Sequence, residues 1–232
     1  MGKKIAGKIN QPPKQVDFDK IGLADFCKQV SGEYYRLHST DSQGSTWPPL
    51  DFSRRGNSRF DPKSGVGRFA LEMAGVMMEL FDDHWGPVGS IGRSVTETQL
   101  KETWVTRVSL PEVILFDATG ANLSKIGTDA QLLTGDYATT RNWAERMMKH
   151  PVHIDGILFR SRHDLERRNI AVFRRAHLLP EIKDPNLRAF QPDPWTRDAA
   201  HGSVLVWGSS VRLVDHPELP SALSELQVAR LP

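Results

Sequence analysis

The sequence has a single cysteine, Cys27, and no long run of apolar residues. One cysteine excludes a disulfide bond within the chain and is typical of a reducing compartment. No apolar run approaches the roughly 18–20 residues that a membrane-spanning helix needs. The lysine-containing N-terminus has no apolar stretch behind it, so it predicts no signal peptide. We therefore expect a protein that acts in the cytoplasm and has no membrane partner, while export without a cleaved signal stays open.

An excess of charge of one sign is also absent, since 30 basic residues face 28 acidic ones. The main basic cluster has six arginines between Arg160 and Arg175, partly offset by Asp164 and Glu166. Aromatic side chains on which bases could stack do not alternate with these arginines, which favours a solvated loop over a nucleic-acid site. Nucleic-acid binding is not expected, although this cluster keeps it as the third alternative for the function.

The usual motifs of metal, dinucleotide and hydrolase sites are missing as well. His150 and His153 are three residues apart, but Pro151 between them prevents a shared helical face, and there is no cysteine pair or HExxH. The segment 65–67 lacks the third glycine and the following helix of a dinucleotide fingerprint, and no serine lies in a GxSxG turn. These absences predict no metal site and no prosthetic group.

The chain length of 232 residues allows one substantial core or two small domains. Because no linker or internal repeat divides it, the sequence predicts a single α+β domain over residues 18–232, preceded by a flexible N-terminal arm over residues 1–17. The hydrophobic pattern predicts helices at 21–29, 72–81 and 137–150, and strands at 33–38, 103–110 and 113–117, the last two separated by a break at Pro111.

The stretch 155–173, DGILFRSRHDLERRNIAVF, places polar residues between two short apolar strands. A turn at Asp155-Gly156 precedes the strand 157–159, and 170–173 forms the second strand. Loops held by buried strands often carry functional residues. Ser161, at the end of the first strand, is therefore a candidate site residue.

A second candidate is Glu79, a carboxylate within the apolar run 76–81. The plain alternative is a glutamate on the helix surface, and by sequence alone this alternative is slightly favoured. Glu72 lies seven residues earlier and would share roughly the same helix face. Glu72 is therefore the next candidate if Glu79 proves dispensable.

Several fragments occur along the chain in the order Tyr35-Arg36-Leu37, Arg59-Phe60-Asp61-Pro62, the run 69–81, Trp143-Ala144-Glu145-Arg146, 155–162 and 170–173. In this order they resemble the RES domain family, which is named for its Arg, Glu and Ser. The resemblance covers roughly residues 33–175, and Phe69 stands where family members usually have a tyrosine.

This resemblance implies a fold similar to that of ADP-ribosyltransferases, with a mixed, twisted β core flanked by helices. Family members are NAD+-consuming toxins, typically paired with an antitoxin of Xre type. The resemblance therefore implies NAD+ as the substrate and a cognate antitoxin or immunity protein as the partner.

The chemistry assigns a task to each matched residue. Cleavage of the nicotinamide–ribose bond passes through a ribose with positive charge, so a carboxylate can stabilise it, and Glu79 is the choice. Arg36 and Arg59, carried over from the family motif, would hold the pyrophosphate, since guanidinium groups bind phosphate oxygens in pairs. Ser161 would orient nicotinamide or ribose, and Phe69 could stack on the nicotinamide ring. The expected catalytic residues are thus Arg36, Glu79 and Ser161.

The acceptor of the ADP-ribose stays open at the sequence level. Inorganic phosphate would make the enzyme an NAD+ phosphorylase, water a glycohydrolase, and a protein side chain an ADP-ribosyltransferase. Family precedent puts phosphorolysis somewhat ahead of hydrolysis, with protein modification as the runner-up. The tyrosine missing at Phe69 motivates an alternative of another class, a catalytically inactive interaction module.

Overall fold

The computed structural model describes residues 11–39, 59–81, 93–161, 164, 166–175, 178 and 206–232. Six strands of this part of the chain form one mixed sheet, and two more form a small parallel pair. The strands are β1 Cys27–Ser39, β2 Val66–Ala70, β3 Ser94–Thr96, β4 Thr103–Asp117, β5 Gly156–Arg160, β6 Arg168–Phe173, β7 Val206–Arg212 and β8 Ala229–Leu231.

Most helices in the described residues are short. Two have clear starting signals: Thr96 and Gln99 form a reciprocal capping box at the start of α3, and the Asp136 side chain accepts from the Thr139 amide at the start of α6. The helices are α1 Gln15–Phe18, α2 Met73–Phe81, α3 Glu97–Glu102, α4 Asn122–Lys125, α5 Gln131–Thr134, α6 Tyr137–Met148 and α7 Leu219–Glu225, with short 3-10 segments at Leu23–Phe26 and Leu213–Asp215.

Five strands close into a ring, called the barrel below. The sheet order is β1-β2-β6-β5-β4-β7, and β1 also pairs with β4, which returns the order to its start. Only β4 and β5 run parallel within this ring. Tyr34, Phe69, Leu115, Leu158 and Ile170, from the five different strands, belong to one buried cluster. Because side chains from all five strands meet there, this cluster fills the inside of the barrel.

Two other buried clusters lie outside the barrel. One packs α6 on the sheet through Trp143 and Met147, both fully buried. The other packs α2 and α7 on the sheet, with Tyr35 and Ala70 facing these helices. The three clusters therefore place α2 and α6 against the outer surface of the same closed sheet.

The break predicted at Pro111 is wrong, because β4 continues through it. Val113 is opposite Val30 and Leu110 is opposite Gly32, so two residues of β4 face the single residue Ser31 of β1. This is the geometry of a β-bulge, where a residue without an N–H group interrupts no regular ladder bond. Pro111 thus bends the strand without ending it.

The N-terminal region differs from its prediction in two places. The predicted arm over residues 1–17 is too long, since Gln11 donates to Thr139 and Gln15 donates to the Arg146 carbonyl, both on α6. Residues 1–10 lie outside the described residues. The helix predicted over 21–29 is only a 3-10 turn, because β1 begins at Cys27 and its pairing with Phe116 takes over the backbone.

The stretch 155–173 forms two adjacent antiparallel strands, as expected. β5 and β6 pair from Gly156 opposite Val172 to Arg160 opposite Arg168. Gly156 is required by close approach, since a Cβ atom there would lie 2.2 Å from the carbonyl oxygen of Ala171. Arg160 at the end of β5 and Arg168 at the start of β6 therefore lie side by side at one end of the barrel.

Candidate active site

Arg36 lies over Phe69 on the inner side of the barrel. Tyr35 is opposite Ala70, which makes Arg36 and Phe69 neighbours across β1 and β2. The Arg36 Cζ atom lies 5.7 Å from the centre of the Phe69 ring, and only 2% of Phe69 is exposed. The ring therefore supports the guanidinium by a cation–π contact.

Glu79 lies at the edge of α2, outside the barrel. The helix is otherwise mostly apolar and buried, whereas Glu79 is only half-buried. Its Oε1 atom accepts a 2.9 Å hydrogen bond from the Nδ2 atom of Asn169 on β6. The carboxylate is thus held by a neutral donor, and no positive charge cancels it in this bond.

Glu72, the next candidate by sequence, has a different environment. Its carboxylate forms an ion pair with Arg167, which also pairs with Asp164 and with Glu225 of α7. Burial of Arg167 opposes its charge, but hydrogen bonds and charge from Glu225, with Glu72 and Asp164, raise the pKa of its guanidinium. Glu72, directly before α2, is therefore part of a charged clamp with Arg167, directly before β6, and Glu225 of α7.

Ser161 follows β5 and is completely buried. Its hydroxyl donates to the sulfur of Met78 at 3.9 Å, and its backbone N–H donates to the carbonyl of Arg167 at 3.0 Å. Met78 directly precedes Glu79 on α2. The serine thus attaches the end of β5 to the helix that carries the carboxylate. Arg162 and His163 lie outside the described residues.

Arg59 lies against the start of α6. Its Cζ atom is 5.3 Å from the ring centre of Tyr137, the first residue of that helix. The preceding loop, residues 40–58, lies outside the described residues. Arg36 therefore contacts Phe69 of β2, and Ser161 contacts Met78, the residue of α2 that precedes Glu79. Arg59 lies instead against Tyr137 of α6, a third element.

A cavity of about 190 Å³ lies between the start of α2 and β6, where Asn169 lines it together with the Glu72–Arg167 ion pair, and Glu79 is not among its lining residues. It is smaller than the roughly 300–1,000 Å³ of typical ligand pockets, so it suits only a part of a dinucleotide. The cavity is lined by Ala70, Leu71, Glu72, Gly75, Glu166, Arg167, Arg168 and Asn169.

Two polar networks fix the strand that carries Arg36. Outside the barrel, the Tyr35 hydroxyl donates to Glu218 at 2.6 Å and accepts from Arg107 at 3.3 Å. Burial, together with Glu218, raises the pKa of this tyrosine above its ordinary value. Beside Arg36, the Thr106 hydroxyl contacts His38 Nε2 at 2.8 Å and the Ser210 hydroxyl at 2.6 Å. Both sides of β1 are thus held in place near Arg36.

Other kinds of site are not apparent in the described part of the chain. No three His, Cys, Asp or Glu side chains there form a group that could hold a metal ion. None of the helices in the described ranges is both long and apolar enough to cross a membrane.

Comparison with known proteins gives the family. The chain belongs to the RES domain family, whose model matches residues 33–208. This match extends the resemblance beyond Arg175, where the sequence motifs ended. No curated protein sequence matches the chain.

The fold is similar to a chain of the M. tuberculosis MbcT–MbcA toxin–antitoxin complex, with a TM-score of 0.56. The sequence identity is 14%, and the alignment covers 92% of this chain and 96% of that chain. At this identity the likeness shows the fold. The expected α+β fold, with a mixed β core flanked by helices, is confirmed.

The sequence motifs missed Asn169, which contacts Glu79, and Arg167, which holds Glu72. One signal for Asn169 was present, since asparagine is disfavoured in strands and here directly precedes the apolar segment 170–173. For Arg167 the sequence offered only one arginine among six in the cluster. Neither contact could be assigned without knowing which helix lies beside β6.

Proposed function

We propose that the protein is a toxin-like enzyme that cleaves the nicotinamide–ribose bond of NAD+ and degrades the dinucleotide by phosphorolysis or hydrolysis. The observation that carries the proposal is Glu79, a carboxylate at the edge of an apolar helix, held by the neutral Asn169 amide. Membership of the RES domain family supports NAD+ as the substrate.

The charge balance of the reaction explains why such a carboxylate is needed. Nicotinamide leaves as a neutral molecule with the electron pair of the C–N bond, and the ribose carbon becomes an oxocarbenium-like cation. A fixed negative charge lowers the energy of this state more than that of the bound substrate. Glu79 would supply that charge, whereas the carboxylate of Glu72 is engaged in an ion pair with Arg167.

The cationic residues would hold the rest of the substrate. Phe69 and Ala70 are consecutive residues of β2 and face opposite sides of the sheet. Phe69 contacts Arg36 inside the barrel and Ala70 packs against α2 outside it, so only the thickness of the sheet separates Arg36 from α2. A long dinucleotide lying across this end of the barrel would place its pyrophosphate near Arg36 and Arg59 and its nicotinamide ribose near Glu79. Each group then serves a different part of NAD+.

The two remaining expected residues take supporting roles in this proposal. Ser161 is buried and contacts Met78, so it would act by fixing α2 beneath the ribose. Phe69 would act by supporting Arg36, since its ring is almost fully covered. Neither role needs the hydroxyl that the family tyrosine carries at this position.

The acceptor completes the reaction. Attack by phosphate would give ADP-ribose-1″-phosphate, and attack by water would give ADP-ribose with release of one proton. We propose phosphorolysis ahead of hydrolysis, and transfer to a protein side chain as the runner-up. A cytoplasmic site of action follows from this substrate, and the toxin–antitoxin complex among the structures of similar fold supports a cognate antitoxin as the partner.

The test is to incubate the purified protein with NAD+, with and without phosphate, and to identify the products by mass. Free nicotinamide with ADP-ribose-1″-phosphate supports the phosphorylase, and free ADP-ribose supports the hydrolase. A mass increase on proteins of a cell extract supports the transferase. NAD+ that stays intact under all of these conditions overturns the proposal and favours the inactive interaction module.

A further inference from the structure

Asn169 occupies a position where its side chain cannot easily turn away from Glu79. It is 2% exposed, and its strand neighbours are Ala70 on β2 and Phe159 on β5. The Nδ2 atom donates to Glu79 Oε1 at 2.9 Å. An ionised carboxylate can only accept hydrogen bonds, so the nitrogen and not the oxygen of the amide must face it.

The amide oxygen of Asn169 indicates that the bond from Nδ2 to Glu79 sets the orientation of the side chain. Asn169 Oδ1 is buried and accepts no hydrogen bond from the described residues. It lies 3.5 Å from the position that a Cβ atom would take on Gly75. A buried acceptor without a donor is unfavourable, so the bond to Glu79 is the contact for which the amide is oriented.

We propose that Asn169 is a positioning residue that holds the Glu79 carboxylate in the orientation in which it faces the ribose. This inference rests on the proposed function and names a residue of the same site. A bond to Oε1 leaves Oε2 for the substrate. A neutral donor also fixes the carboxylate without bringing a positive charge beside the cationic ribose, whereas the Glu72 carboxylate is held by the Arg167 guanidinium.

Charged groups on the neighbouring elements bear on any test that varies pH. Arg167, before β6, is engaged by Glu72, Asp164 and Glu225, and Tyr35 on β1 is hydrogen-bonded to Glu218. The charged and titratable groups on the elements packed against α2 are Cys27, Lys28, Glu33, Tyr34, Tyr35, Arg36 and His38 on β1, Arg68 on β2, Arg168 on β6 and Glu225 on α7, with Arg167 and Glu218 directly before β6 and α7.

The first test removes the donor in two ways. Asn169→Ala should lower kcat for nicotinamide release roughly ten- to a hundredfold, the usual effect of one hydrogen bond to a charged group. Asn169→Asp keeps the size of the side chain but loses the donor and adds a like charge, so its rate at pH 8 should fall at least as far. As the pH is lowered towards 5, the new carboxyl group and Glu79 share a proton, and the rate should recover in part.

A matched control makes the same change elsewhere. Asn142 lies on α6, whose buried cluster is separate from that of α2, and it donates to Gln11 at 3.0 Å. Asn142→Asp should keep the wild-type rate and the wild-type pH profile. A merely structural role of Asn169 would change only the amount of folded protein, whereas a positioning role changes kcat per folded molecule, so the folded fraction of each variant is measured by circular dichroism at each pH.

The second test is a double-mutant cycle on kcat. Because Asn169 acts through Glu79, Asn169→Ala should cost no further rate once Glu79→Gln is present. A full additional loss in the double variant, or a wild-type rate in Asn169→Ala, overturns the inference while the proposed function stands. Wild-type protein that leaves NAD+ intact overturns the proposed function, and this inference with it.

Discussion

The guanidinium of Arg36 and the ring of Phe69 form a stacked pair across β1 and β2, with 5.7 Å between Cζ and the ring centre. Phe69 stands where the sequence resemblance to the RES domain family leads us to expect a tyrosine. Because the ring faces the buried inside of the barrel, its aromatic face supports the arginine. The contact with Arg36 therefore uses the ring and does not need a tyrosine hydroxyl.

Replacement of Phe69 by leucine should separate the effect on Arg36 from the effect on the fold. The change keeps an apolar side chain but removes the aromatic face, which is worth about 0.5–2 kcal/mol to a cation. We expect KM for NAD+ to rise roughly three- to tenfold with little change in kcat. Phe26→Leu is the control, since Lys125 lies 5.1 Å from that ring centre. An equal rise in KM for both variants would contradict the prediction.

Glu79→Gln should abolish most of the activity, while Glu72→Gln should not. Removal of a preorganised charge typically costs about 10²–10³ in kcat. Glu72 is largely exposed, with 65% of its side chain accessible, and it is paired with Arg167. We therefore expect less than about a threefold change in rate for that variant. Steady-state release of nicotinamide measures both, and the reverse order of effects would move the assignment to Glu72.

Arg167→Ala should lower stability through the loss of three carboxylate partners. The Arg167 side chain is only 11% accessible, but Glu72 and Glu225 are well exposed, so screening by water limits the gain from each pair. We expect a loss of about 1–3 kcal/mol in the free energy of unfolding by urea, smaller in 1 M salt. The neighbouring exposed Arg168→Ala should change it by less than about 0.5 kcal/mol. Similar losses for both variants would argue against a clamp.

The ionised carboxylate of Asp117 should stabilise the fold at neutral pH, and this contribution should be lost in acid. Burial opposes its charge, but the Lys28 ammonium at 2.7 Å and bonds from Thr119 outweigh burial and hold the pKa of this carboxyl below its usual value. A carboxyl group with a lowered pKa stabilises the fold above the pKa of the unfolded chain. That contribution is lost as the pH falls through the folded-state pKa.

The free energy of unfolding should therefore fall below about pH 4 more steeply in the wild type than in Asp117→Asn. At pH 7 the variant should be less stable by about 1–2 kcal/mol, since the bonds from Lys28 and Thr119 are weakened. Urea unfolding at a series of pH values measures both quantities. Asp17→Asn is the control, because Asp17 forms an exposed pair with Lys20. Parallel curves for wild type and Asp117→Asn would refute this explanation.

Local patterns were enough to predict many of the elements. The apolar run at 72–81 became α2, the pattern around Trp143 and Met147 became α6, and the two strands of 155–173 appeared as β5 and β6. Such patterns depend on the spacing of side chains within a few residues, which the sequence shows directly. The break predicted at Pro111 was wrong because the effect of this proline depends on the pairing of β4 with β1, where a bulge in β4 accommodates it.

The sequence by itself determined the single domain, the family motifs and the residue types available for chemistry. Only the tertiary structure decided that Glu72 forms an ion pair with Arg167 while Glu79 accepts from the neutral amide of Asn169. Asn169 reaches Glu79 across 90 residues, whereas Arg167 reaches Glu72 across 95 residues. Both contacts require β6 to lie beside α2, which follows from the closure of five strands into a barrel. Contacts between residues so far apart depend on the packing of the whole sheet, and no local spacing can encode them.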